Sequence, residues 1–330
     1  MATIRDVAIR ASVSIATVSR VLNNKGKYAL KTAKIVQKAA EELGYIPNLT
    51  AKSLKTGSSG TIAFVIHDYF LVNYPIILAS ALNILNAQGF GVEVLTHIGL
   101  EGCIRLVRTG KIDGLLIAGI KNEEHALSAL VNCGSHFVIL GDGVEREDVN
   151  VVEVDYFQGG YIATQHLINL GHQSILFIED NPQLTFTQEI KRGYLFALDE
   201  NGIQYKEHLL VPGDMLQGEQ GGYRFGIGEK EAGVSAMLTT DDRIAIKMIR
   251  ALNEGGQSVP GDVTVVGFGD LSVSRYFDPP LTSVETPLSQ MAELGAEILV
   301  NNIKRKDSIV KRVKLMVRFI ARETHAKRLT

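Results

Sequence analysis

The chain has 330 residues, 45% hydrophobic and 21% charged, with a formal net charge of −2. That is far too apolar for a disordered chain, and the length is that of two or three domains. No apolar run reaches the ~18–20 residues that span a bilayer, and Asp6 stands where a secretory signal has its apolar core, so neither a membrane span nor export is expected.

Cys103 and Cys133 are the only cysteines. They make no CxxC pair and no disulfide framework, which fits a reducing cytoplasm. Charge is unevenly spread. Residues 1–60 hold ten basic residues against three acids, a net +7. The remaining 270 hold 24 against 33, a net −9. A small basic head on an acidic body suggests a polyanion-binding module joined to something else.

In the head, Ile4, Val7, Ala8 and Ala11 recur at the spacing of one buried helix face. Ser14 is placed to cap a second helix, whose apolar stripe is Val18, Val21 and Leu22. Opposite that stripe lie Ala16, Arg20 and Asn23. A third helix is expected from about Thr32 to Leu43, with Gly44 at its stop. Two short helices, a tight turn and a bracing helix read as helix-turn-helix. Arg20 suits the O6/N7 edge of guanine and the Ala16 methyl suits thymine. Thr17 and Ser19 on the flanks suit phosphate.

The stretch from Thr3 to Asn23, above all ATVSRVLN (16–23), together with EELGYIPN (41–48), resembles the lac/gal repressor family of bacterial transcription regulators. The resemblance implies that Ile15, Ala16 and Arg20 choose the operator, with Thr3, Ser14, Thr17, Ser19 and Asn23 among the DNA contacts. An apolar residue followed by alanine is closer to the gal type than to the lac type. Two positions depart from the family pattern. Ser12 replaces the turn glycine, and Ala29 replaces the serine that opens the third helix, which shifts capping and phosphate contact to Thr32.

The segment PNLTAKSLKTG (47–57) has room for two helical turns. A helix that short does not persist alone, so it is expected to order only against a partner. The resemblance implies that two such hinge helices pair across a dimer in the minor groove. Leu54 then wedges into a central CpG step, and Lys55 lies near phosphate.

In the body, strand-like runs at 61–66, 91–95, 114–119, 136–140, 174–179 and 263–268 alternate with helical patterns at 75–88, 158–170, 187–201, 242–254 and 288–305. This is an α/β arrangement of parallel sheets, in two lobes, with a ligand cleft at the strand carboxyl ends. The run 311–320 reads as one strand returning to the sheet. DYFQGGYIATQHLINLGH (155–172), VTVVGFGD (263–270), DPPLTSVETP (278–287) and VRFIARET (317–324) extend the resemblance, which implies a periplasmic-binding-protein-like body that dimerises and closes on a small effector. The domains are then a DNA-binding head at 1–46, a hinge at 47–60 and an effector and dimerisation domain at 61–330.

Family members that bind sugars or purines hold them with an arginine and two aspartates, and those positions are Ile190, Gly269 and Gly141 here. The candidates left near strand ends are His67, Asp68, Tyr69, Asn73, Tyr74, Asp142, Arg192, Asp241, Asp242 and Asp270, with capping of the 242–254 helix as the alternative role of Asp242. No phosphate-loop, dinucleotide, zinc-protease or serine-hydrolase motif occurs, so neither catalysis, a cofactor nor a metal is expected. His166 and His172 read as structural. The expected function is a dimeric, effector-modulated repressor of a carbohydrate operon, with a galactoside as the gal-like choice and a sugar or sugar phosphate as the ligand class. The expected partner is palindromic operator DNA. The alternative is a cytoplasmic solute-binding module with no DNA role.

Overall fold

The computed structural model describes residues 2–22, 28–45, 58–66, 74–96, 99–119, 124–212, 233–305 and 309–328. The chain divides into two compact units, Met1–Gly60 and Thr61–Thr330.

Among the described residues, the first unit has three helices, α1 (Ile4–Arg10), α2 (Ile15–Leu22) and α3 (Leu30–Glu42). Thr3 starts α1 with a capping box: its hydroxyl accepts from the Asp6 amide, and the Asp6 carboxylate accepts from the Thr3 amide at 2.7 Å. Those bonds hold the Asp6 carboxyl below its ordinary range. Ser14 caps α2, accepting from the Thr17 amide at 3.1 Å. Val7, Ala8, Ala11, Val18, Val21, Ala33, Val36, Ala39 and Ala40 form the small core. α3 begins two residues before the expected start. Ala29 is its extended N-cap and offers no side-chain bond. Thr32 is therefore the third helical residue, and the capping role expected of it falls away. The hinge expectation, including Leu54 and Lys55, lies outside the described residues, as does Asn23.

The second unit holds two six-stranded sheets. The first runs in the order β11 (Arg312–Leu315), β5 (Asn150–Val154), β4 (His136–Leu140), β3 (Gly114–Ala118), β1 (Thr61–Ile66), β2 (Gly91–Thr96), and every described pairing is parallel. The second runs β12 (Arg318–Ile320), β10 (Thr282–Glu285), β9 (Thr264–Gly269), β8 (Ala236–Thr239), β6 (Ile175–Glu179), β7 (Leu210–Pro212). It is parallel except where β12 pairs antiparallel to β10. Strands β1, β3 and β6 are buried almost throughout, as parallel strands covered on both faces must be.

Helices α4 (Tyr74–Ala87), α5 (Leu100–Arg108) and α6 (Glu124–Asn132) belong to the first lobe. Helices α7 (Tyr156–Asn169), α8 (Thr185–Glu200) and α9 (Asp242–Glu254) belong to the second. α10 (Leu288–Arg305) leaves the second sheet and packs back on α4, β3, β4 and β5. The chain thus crosses between lobes after β5, after β10 and between β11 and β12. The single strand expected over 311–320 is two strands in different sheets, parted at Met316 and Val317. One buried cluster joins the lobes, from Phe64 and Leu116 through Tyr156 to Phe177 and Phe268.

α7 and α8 lie in very close contact. A Cβ at Gly193 would stand 2.1 Å from the Phe157 carbonyl oxygen, and one at Gly160 would stand 2.0 Å from that of Ile190. Only glycine permits that separation at these two positions.

Candidate nucleic-acid interface and effector cleft

Helix α2 buries Val18 and Val21 and exposes Ile15, Ala16 and Arg20. The three residues expected to read bases therefore share the outward side of one helix. Thr17 and Ser19 are half-buried at its flanks, and Thr17 also meets the Ser14 hydroxyl at 2.9 Å. Thr3 is exposed at the head of α1. Thr32 is half-buried in the first turn of α3.

Arg5 is a residue the sequence reading passed over. An open concavity of about 580 Å³ is lined by Arg5, Ala8, Ile9, Ser12, Val13, Ser14 and Ile15. Arg5 therefore shares a surface with the cap and first residue of α2. Its signal was present only as one of ten basic residues, because helix geometry is what brings α1's first turn beside α2.

In the body, each sheet reverses its winding beside a central strand, between β1 and β3 in the first and β6 and β8 in the second. Ligand crevices open at such points, outside the strand carboxyl ends. His67, Asp68 and Tyr69 follow β1 but lie outside the described residues, as does Asn73. Tyr74 opens α4 and is half-buried.

The second lobe engages its candidates in the fold itself. Asp241 caps α9, accepting from the Arg243 amide at 2.7 Å, and it grips the Arg243 guanidinium with both oxygens. Asp270 has φ +47° and meets Arg322 at 2.6 Å. Arg192 is exposed on α8, where it pairs with Glu189 and lies over the Phe157 ring at 5.1 Å. Ile190 is wholly buried in the core. Asp242, next to the cap, is also buried: its carboxylate accepts from the Leu271 amide and from the hydroxyls of Ser274 and Ser283 at 2.6–2.7 Å. Burial raises its pKa, and those bonds oppose the rise.

Asp142 differs from Asp241 and Asp270 in making no ion pair among the described residues, although Asp270 Oδ1 likewise accepts no hydrogen bond. It follows β4, in the turn where Gly143 approaches the Thr185 side chain of the other lobe. Its Oδ2 is shut off from solvent and has no hydrogen-bond partner. Burial pushes its pKa up to about 6; Glu153 and Glu189 add to the rise, while its own amide and Lys314 oppose it. Tyr156 beside it is pushed well above the phenol range by burial and then by the Asp142 charge.

His166 and His172 are held within the fold. The His172 Nε2 lies 3.0 Å from the Ala326 carbonyl, which only accepts, so Nε2 carries the proton and Nδ1 faces the Ser235 hydroxyl. His166 packs on Phe319 at 4.3 Å between ring centroids. Among the described residues, no group of three His, Cys, Asp or Glu side chains is placed to hold a metal.

Residues 3–48 match the bacterial regulatory proteins of the lacI family, and residues 164–325 match a periplasmic-binding-protein-like domain. The HTH-type transcriptional regulator CelR of Thermobifida fusca is 31% identical, covering 98% of each chain. The HTH-type transcriptional repressor PurR of Aliivibrio fischeri (strain ATCC 700601 / ES114) is 28% identical over the whole of both. Among solved structures, a CelR–cellobiose complex is similar at 29% identity and a TM-score of 0.70, covering 98% of this chain and 100% of that one. A lac repressor dimer bound to operator and an anti-inducer is similar at 26% and 0.83, covering 98% and 99%. The exposed side of α2, the two wound lobes and this end-to-end likeness agree: the chain belongs to the lacI family of DNA-binding transcription regulators.

Proposed function

We propose that the protein is a cytoplasmic homodimeric repressor of carbohydrate-utilisation genes, releasing or gripping a palindromic operator in response to a sugar bound between its lobes. The observation that carries the DNA side is the sharing of one exposed helix side by Ile15, Ala16 and Arg20, on a head of net +7. Two heads on one dimer address two half-sites in successive major grooves. Leu54 from each copy supplies the wedge at a central CpG step.

Support for pairing of two copies comes from α4 and β2. Helix α4 is apolar nearly all round, which is the pattern of a buried helix, yet Ile76 is 40% exposed. Val94 on the adjoining edge strand is 38% exposed. Support for a carbohydrate comes from the cellobiose held by the similar CelR structure and from the two-lobed cleft.

The test is fluorescence anisotropy on a palindromic duplex with a central CpG, across salt and a panel of sugars. A steep fall of affinity with salt and a shift by one sugar are expected. Binding that ignores both salt and sequence overturns the reading. Arg20→Ala is expected to cost on the order of 1–3 kcal/mol at one guanine and to relax preference there. Arg5→Ala is expected to weaken all sequences alike and to lower the salt slope by about 0.9. An Arg20→Ala variant with unchanged base preference counts against the assignment.

A further inference from the structure

Several carboxylates around the strand ends of the body are supplied with cations from within the chain, and Asp242 is supplied with an amide and two hydroxyls instead. Glu179 meets Lys191 at 3.6 Å, Asp241 meets Arg243 at 2.6 Å, and Asp270 meets Arg322 at 2.6 Å. The two acids that act on Asp142 are also served: Glu153 by Lys314 at 3.5 Å, and Glu189 by Arg192. Asp142 is left over. Its Oδ2 is shielded from water and accepts no hydrogen bond, and the charges that reach it are Glu153 from β5, Glu189 from α8 and Lys314 from β11, the last already held. Beside it stands Tyr156, the first residue of α7. Asp142 is half-buried, and an oxygen shut off from solvent without a donor is costly to maintain unless something outside the chain completes it.

Its position says what that partner is. Asp142 precedes Gly143, where an added Cβ would stand 3.1 Å from Thr185 Oγ1 of the other lobe, so its turn borders the space in which a ligand between the lobes would sit. The buried Ile190 and the bare Gly269 offer that ligand no guanidinium and no second carboxylate. Two acids and one occupied lysine make the surroundings unfavourable to a phosphate or a carboxylate and favourable to a cation.

We propose that Asp142 anchors a protonated amine on the effector, so that the regulator answers to an amino-bearing sugar and rejects a phosphorylated or acidic one. This rests on the reading of the inter-lobe cleft as a carbohydrate site. Anionic sugars are excluded by charge, neutral sugars lack the group that neutralises Asp142, and an amine supplies both the charge and the donor that Oδ2 lacks.

The test uses the full chain and matched probes: glucose, glucosamine, N-acetylglucosamine and glucose 6-phosphate, with the galactose counterparts. Binding is read by calorimetry and thermal shift at pH 7.5, on wild type and Asp142→Asn, whose folding is checked by circular dichroism. An amine sugar is expected to bind about ten-fold or more tightly than its neutral and N-acetylated counterparts, with the phosphate weakest. In Asp142→Asn the ratio is expected to fall to near one. The proposal is overturned if no amine sugar binds, if a neutral or phosphorylated member binds as tightly, or if the preference survives Asp142→Asn. Operator release is measured beside it. A neutral sugar that binds and shifts operator affinity removes the amine and leaves the carbohydrate regulator standing. No shift by any sugar removes both.

Discussion

Ser12 holds φ at +52° in the turn between α1 and α2, a conformation that costs a residue with a side chain about 1–2 kcal/mol. Glycine adopts it freely but gains entropy in the unfolded chain, which takes back about 0.4–1 kcal/mol. Ser12→Gly is therefore expected to stabilise the head by about 0.5 kcal/mol, read as a higher midpoint for the head's transition in thermal scans of the full chain. A lowered midpoint shows that the serine is favoured there. Asp142 gives the opposite kind of residue effect. Its folded pKa, about 6, lies above the value in an unfolded chain, so the folded state keeps a proton that the unfolded state releases. Stability contributed by this group falls as pH rises from about 4 to about 6 and is level beyond. Asp142→Asn removes the penalty. It is expected to be more stable than wild type at pH 7.5, by on the order of 2 kcal/mol, and equal to it below about pH 4. Urea titrations at the two pH values measure this, and an equal midpoint at pH 7.5 contradicts a buried, unpaired charge.

Among elements, the α7–α8 pair is the most sharply determined. Gly193 faces the Phe157 carbonyl and the Tyr161 amide across the contact, with 2.1 and 2.6 Å to an added Cβ. Backbone cannot yield as a side chain does, so Gly193→Ala forces the helices apart. A loss of about 1–3 kcal/mol is expected, seen as a lower urea midpoint. An unchanged midpoint shows that the pair slides at little cost. Tyr194, next along, is buried and donates its hydroxyl to the Ile175 carbonyl at 2.9 Å, which ties α8 to β6. Ile190, at the position where the resemblance implies an effector arginine, is thus part of a packed helix pair.

At the scale of the whole molecule, three crossings connect the lobes, and the last, between β11 and β12, is only Met316 and Val317. Short connections of this kind allow two rigid sheets to change their separation while each stays intact. A ligand that favours one separation and DNA that favours another are then coupled through it, and the coupling is reciprocal. If an effector lowers operator affinity by some factor, saturating operator must lower effector affinity by the same factor. Calorimetry with and without duplex checks this. Unequal factors show that one of the two titrations involves a further state.

The head's helices and their buried and exposed sides were legible in the amino-acid order, because helix periodicity and caps are local: Ser14, Val18, Arg20 and Val21 declare their sides within two turns. The wound body was legible for the same reason wherever strands are buried runs, as at 61–66 and 175–179. Short or polar strands such as β8 and β10 carry no such run. The split of 311–320 carried no local mark either, because both halves are extended and only sheet pairing assigns them to different lobes. The cleft was least legible. Asp142, Asp241 and Asp270 look alike in sequence as acids near strand ends. Which of them is already paired depends on Arg243, close in sequence, and on Arg322, which is far away. Sequence alone determined the kinds of groups present and the family they belong to. Tertiary structure decided which of these carboxylates is paired with a cation, because neutralisation depends on distances between residues that the chain order keeps apart.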